Sequence, residues 1–134
     1  MSFVPRARRR RDSAAVLIVD DNAAVRGCLE AMFTALGYRA DLAADGQEAL
    51  PKLADGNYAA VICDLYMPHM DGDQLYTACR KQHREMADRF IFITGEVLDT
   101  LSCAASAVSG QPQLLKPFRL ADIQAALSQV AAAS

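Results

Sequence analysis

Four short apolar runs in this chain each end on a side chain that can do chemistry. Residues 14–19 (AAVLIV) run into Asp20 and Asp21, 59–63 (AAVIC) into Asp64, 90–93 (FIFI) into Thr94, and Leu114-Leu115 into Lys116. The first run is continuous and rich in β-branched residues, the pattern of a strand buried on both faces. Burying both faces of a sheet requires helices above and below it. The segments between the runs supply helix patterns. Asn22 can cap a helix whose apolar face is Val25, Cys28, Leu29, Met32, Phe33 and Leu36, at the three- and four-residue spacing of one stripe. Gly37 can stop it in a left-handed conformation.

Residues 38–43 alternate, with Tyr38, Ala40 and Leu42 on one side and Arg39 and Asp41 on the other, which predicts an edge strand. A helix should follow Asp45-Gly46. Pro51 interrupts it, and an interior proline costs about 3 kcal/mol, so this helix is expected to start late or bend. Further helices are predicted over 73 to about 82, more weakly over 97 to about 109, and in a last segment striped by Leu120, Ile123, Leu127 and Val130. Five strands alternating with five helices predict an α/β, doubly wound parallel sheet.

Composition narrows the class. The 134 residues make one domain (52% hydrophobic, 22% charged), enough apolar surface for a packed core. No stretch approaches the roughly 20 apolar residues of a membrane span. Arg6 and Arg8 to Arg11 lack the apolar stretch of a secretory signal behind them, so a cytoplasmic protein is expected. Cys28, Cys63, Cys79 and Cys103 show no C-x-x-C spacing and read as four small reduced hydrophobes. Residues 1–12 carry five arginines and one aspartate, net +4, whereas the rest carries nine basic and fifteen acidic residues, net −6. Residues 1–13 therefore read as a basic tail or linker and 14–134 as the domain. An arginine run can touch nucleic acid, but without aromatic partners it makes a weak and salt-sensitive binder.

In doubly wound sheets, reactive groups gather outside the carboxyl ends of the strands. Asp20, Asp21, Asp64, Thr94 and Lys116 all occupy such ends. If the order is 2-1-3-4-5, their four strands are neighbours and the five side chains converge. Taken singly, the first two read as helix-start acids, Thr94 as a strand end and Lys116 as a surface cation. Taken together they make a charge problem. Two carboxylates about 4 Å apart repel by roughly 4 kcal/mol at an effective dielectric of 20. Three of them call for raised pKa values or a cation. Oxygen-only ligands suit Mg2+, and three carboxylates, Mg2+ and Lys116 sum to zero formal charge. A carboxylate can then serve as nucleophile toward a phosphoryl group.

Val-Asp-Asp at 19–21, Asp-Leu-Tyr-Met-Pro-His-Met-Asp-Gly at 64–72, Ile-Thr-Gly at 93–95 and Lys-Pro-Phe at 116–118 resemble the receiver domain of two-component response regulators. The resemblance spans about 16–130. It implies the flavodoxin-like strand order 2-1-3-4-5 and phosphoryl transfer from the phosphohistidine of a histidine kinase or histidine phosphotransfer protein onto Asp64. Asp21 and Asp64 would bind Mg2+ directly, Asp20 largely through water, and the backbone carbonyl of Tyr66 would be a further ligand. Thr94 would bond a phosphoryl oxygen and Lys116 would pair with the phosphate. Pro117 would follow a cis peptide, and Met67, Pro68 and Gly72 would shape the loop after the acceptor. His69 and His83 read as exposed residues rather than phosphate donors.

Two departures matter. Gln113 stands where such domains commonly carry a switch aromatic, which puts aromatic gating in question. The stretch 110–118 (GQPQLLKPF) instead looks like receivers of hybrid sensor kinases. Tyr66 and Glu96 occupy positions that tune dephosphorylation in the family. The output surface is expected on the predicted helix 97–109, the last strand and the last helix. No nucleic-acid-binding domain is expected, so the chain reads as a stand-alone receiver or part of a hybrid kinase. It reads as no turnover enzyme, although it should assist its own phosphorylation and hydrolysis. Two rivals are a receiver-like binding module that works without phosphate and a phosphohydrolase with an aspartyl intermediate. Tyr66 stands where the second acid of such a hydrolase is usual.

Overall fold

The computed structural model describes residues 14–67, 70–94 and 110–133. In chain order they form β1 (Ala15–Val19), α1 (Ala23–Ala35), β2 (Arg39–Ala43), α2 (Gly46–Asp55), β3 (Ala60–Asp64), α3 (Gly72–Gln82), the single turn α4 (Arg84–Ala87), β4 (Phe90–Thr94), β5 (Gln113–Leu115) and α5 (Leu120–Ala133). The five strands pair in parallel in the order β2-β1-β3-β4-β5, as expected. The expected helix at 97–109, the arginine tail and Cys103 lie outside the described residues.

Every residue of β1, β3 and β4 is buried, which is why those runs do not alternate. Successive side chains feed opposite faces of the sheet. Val16, Ile18, Ile62, Ile91 and Ile93 pack with Leu29 and Phe33 of α1 and Ile123, Ala126 and Val130 of α5. Leu17, Val19, Val61, Cys63, Phe90 and Phe92 pack with Ala49 and Leu53 of α2, Leu75, Tyr76 and Cys79 of α3, and Met86 and Ala87 of α4. The sheet is thus wound on both faces. β2 stays half-exposed at its edge, with Tyr38, Ala40 and Leu42 turned toward the α1 side, matching its alternating sequence.

Local signals account for the boundaries. The Asn22 carboxamide accepts the backbone N–H groups of Ala24 and Val25 and caps α1. Gly37 ends that helix at φ +96°, a conformation that favours glycine. Asp71 and Gln74 form a reciprocal capping box on α3.

Several expectations need correction. The helix after Asp45 starts at once, at Gly46, and carries Pro51 inside it. Its first turn is held by Asp45, whose carboxylate accepts the Glu48 N–H at 2.9 Å, and by Glu48, which accepts the Ala44 N–H. Buried Ala49 and Leu53 anchor it across the proline. Cys28 lies on the apolar stripe of α1 but is exposed, because the contact with the sheet is made by Leu29 and Phe33. Leu120 is likewise exposed, since it opens α5 before the helix reaches the sheet. The turn α4 had no sequence signal beyond Met86 and Ala87, which it buries.

Candidate functional site

The strand register sets the site. Val19 pairs with Cys63, Asp64 with Ile93, and Thr94 with Leu115. The next residues therefore line up: Asp20 after β1, Asp64 at the end of β3, Thr94 at the end of β4 and Lys116 after β5. Backbone bonds continue the ladder past the strands, from Leu65 N–H to Ile93 O (3.0 Å) and from Lys116 N–H to Thr94 O (3.0 Å). The Lys116–Pro117 peptide is cis, as expected. Gly72 lets α3 begin against β3. A Cβ there would stand 2.5 Å from the Asp64 carbonyl oxygen, and the Gly72 N–H bonds Leu65 O at 3.0 Å.

One carboxylate oxygen from each of Asp20, Asp21 and Asp64 lies within 4.8 Å of the others. At that separation two charges repel by about 3 kcal/mol at an effective dielectric of 20. Asp20 is fully buried, Asp64 is 7% exposed, and Asp21 is exposed. Burial, followed by the Asp20 charge, pushes the Asp64 carboxyl up to about 6. Burial also raises Asp20, against the opposing pull of the Asn22 N–H and Lys116. These are the consequences expected of crowding acids in a dry place.

Within the acid cluster the hydrogen bonds leave one gap. Asp64 Oδ1 accepts the Tyr66 N–H at 3.3 Å, and Asp20 Oδ1 accepts the Asn22 N–H at 2.8 Å. Asp20 Oδ2 is buried, and among the described residues no donor reaches it. Lys116 Nζ stands 4.0 Å from that oxygen, its one ion pair among the described residues. A buried carboxylate oxygen without a donor, flanked by two further carboxylates, suits a hard divalent cation such as Mg2+. The residues present fit that ion.

The five expected side chains thus meet at one end of the sheet: Asp20, Asp21 and Asp64 as a cluster, Lys116 against Asp20, and buried Thr94 on the neighbouring strand. Tyr66, two residues after Asp64, is 42% exposed. Pro68, His69, Gly95 and Glu96 lie outside the described residues. One residue was missed. Arg26, on α1, donates from Nη1 to the Asp20 backbone carbonyl at 2.7 Å. No sequence motif marks an arginine six residues past a strand end as part of such a site.

Comparison with known proteins agrees with this geometry. Residues 16–128 match the family described as "Response regulator receiver domain". The response regulator MprA of Mycolicibacterium vanbaalenii is 35% identical over 112 residues, covering 82% of this chain and 47% of that protein. The chain spans about half the length of the curated relatives it matches. The chemotaxis protein CheY4 of Vibrio cholerae superposes with a TM-score of 0.77 at 30% identity, covering 88% of this chain and 98% of that one. The response regulator TrrA of Thermotoga maritima, solved in complex with Mg2+–BeF, gives a TM-score of 0.76 at 26% identity, covering 87% and 98%. No described helix is long and apolar enough to cross a membrane. Receiver domains are signalling modules, not turnover enzymes; they bind Mg2+ at an acidic pocket and interact with histidine kinases or phosphotransfer proteins. This chain belongs to the response regulator receiver domains of two-component systems.

Proposed function

We propose that this domain stores a phosphoryl group on Asp64, taken from a phosphohistidine of a histidine kinase or histidine phosphotransfer protein in a Mg2+-dependent step. The observation that carries the reading is the acid cluster at the strand ends, with Asp20 Oδ2 buried and without a donor among the described residues and Lys116 alongside.

A carboxylate oxygen of Asp64 attacks phosphorus, an O–P bond forms, and the N–P bond to the donor imidazole breaks. The imidazole leaves with that electron pair and takes up a proton. Asp21 and Asp64 would hold Mg2+ directly, Asp20 largely through water, and the Tyr66 carbonyl would complete the protein's share. When bound, the ion supplies charge compensation for carboxylates and phosphoryl oxygens. Lys116 then pairs with the phosphate, and Thr94 donates its hydroxyl to a phosphoryl oxygen. Gly72 packs against the Asp64 carbonyl and bonds Leu65 O, which ties the start of α3 to the end of β3 beside Asp64.

The new charge would shift a conformational equilibrium that a partner reads. Gln113 sits in β5, where an aromatic switch is absent, so gating by an aromatic residue is not part of this reading. The stretch 110–118 favours a receiver of the hybrid-kinase kind, acting in the cytoplasm.

The test is labelling of the purified protein by acetyl phosphate. Incorporation that needs Mg2+ and disappears in Asp64→Asn is expected. Absence of label in the wild type would leave a binding module that works without phosphate. Repeated turnover of phosphate esters would point to a hydrolase instead.

A further inference from the structure

Asp20 is held from three directions that do not involve its free oxygen. Its N–H bonds the Ala43 carbonyl across to β2 at 3.1 Å, its Oδ1 accepts from Asn22, and its carbonyl accepts from Arg26. The first two bonds belong to the ladder and to the turn itself. The third comes from the second turn of α1. The Arg26 backbone N–H already closes the first helical bond onto Asn22 O at 3.0 Å, so its side chain springs from a fixed point. The guanidinium is half-buried and is satisfied by a main-chain oxygen rather than by any of the three carboxylates within reach of one another. That choice matters. Three mutually repelling carboxylates favour opening the turn between β1 and α1, and Asp21 is exposed on that turn.

We propose that Arg26 is a positioning residue for the divalent-cation site: by clamping the Asp20 carbonyl it holds the turn 20–22 closed, so that the carboxylates of Asp20 and Asp21 stand ready beside Asp64. This rests on the Mg2+ site proposed above. Groups that orient a metal's ligands without touching the metal are commonly worth tenfold or more in affinity.

The sign of the effect separates this role from a plain electrostatic one. A cation near the site repels Mg2+, so if Arg26 acted only through its charge, removing it would tighten binding. If it acts by clamping the carbonyl, removing it loosens binding despite the more favourable field.

The experiment is calorimetric titration of the full chain with MgCl2, with the fold of each variant checked by circular dichroism. In Arg26→Ala we expect Mg2+ to bind about tenfold more weakly than in the wild type. In Arg26→Lys, which keeps the charge and one donor but loses the planar fork, we expect an intermediate affinity. Binding in Arg26→Ala as tight as in the wild type, or tighter, overturns the proposal. Should Arg26→Ala not fold, the lysine variant decides: weaker binding supports the clamp and unchanged binding overturns it. A wild type that gives no Mg2+ heat sinks the metal site itself, and the clamp with it.

Discussion

The two ends of the sheet are built from similar residue types and treat them in opposite ways. At the amino end, polar groups satisfy one another. The Tyr58 hydroxyl donates to Asp41 Oδ2 at 2.7 Å, Arg89 Nη1 donates to Asn57 Oδ1 at 3.0 Å and to Tyr58 O at 2.7 Å, and Arg39 pairs with Asp41 at 3.3 Å. Cation, carboxylate and phenol close on each other. At the carboxyl end, three carboxylates crowd together, and among the described residues Asp20 Oδ2 has no donor and its ion-pair partner Lys116 stands off at 4.0 Å. Among the described residues, one end pairs its polar groups and the other leaves like charges side by side. Unmet electrostatic demand, more than pocket shape, marks the functional end of this domain.

That contrast can be broken in graded ways. The largest effect expected is on chemistry: Asp64→Asn should cut acetyl phosphate labelling by at least about 100-fold, while Tyr58→Phe at the other end leaves it unchanged, both read by incorporation of label. Next is the pH dependence of the metal-free protein. The Asp64 carboxyl is raised from 3.8 to about 6, so the folded state binds that proton more tightly than the unfolded chain does. The contribution of Asp64 to stability is therefore full below about pH 4, falls as pH rises through 6, and levels off above. The fall is worth about 3 kcal/mol at most. Denaturant melts in EDTA should show this slope, and Asp64→Asn should flatten it. Mg2+ at ten times its dissociation constant should return about 1.4 kcal/mol at neutral pH. Tyr58→Phe comes next, costing about 1 to 2 kcal/mol because it strips Asp41 Oδ2 of the phenol donor and leaves the carboxylate its exposed Arg39 pair. Smallest is Arg39→Ala, an exposed pair, worth under about 1 kcal/mol by the same melts.

The sequence carried the strands plainly, because β1, β3 and β4 are buried on both faces and their apolar runs have no gaps. It also carried the five side chains at strand ends, because the register of a parallel sheet turns "after a strand" into "beside each other". It did not reveal which of the adjacent Asp20 and Asp21 is buried. Only packing places the first wholly inside and the second outside. It could not reveal Arg26, since a contact between a helix side chain and a main-chain carbonyl leaves no trace in residue pattern. Pro51 misled about where the helix starts, because local helix cost was weighed without the burial of Ala49 and Leu53 on either side of it. Cys28 and Leu120 misled because a stripe read from spacing is wider than the face that meets the sheet.

The account turns on which carboxylate takes the phosphoryl group. Borohydride reduction of acetyl phosphate-treated protein, followed by peptide mass spectrometry, converts an aspartyl phosphate to homoserine and so reports its position. A single homoserine at position 64, formed with Mg2+ and lost in EDTA, is predicted. Homoserine at position 20 or 21, or none in a protein that binds Mg2+, would contradict it.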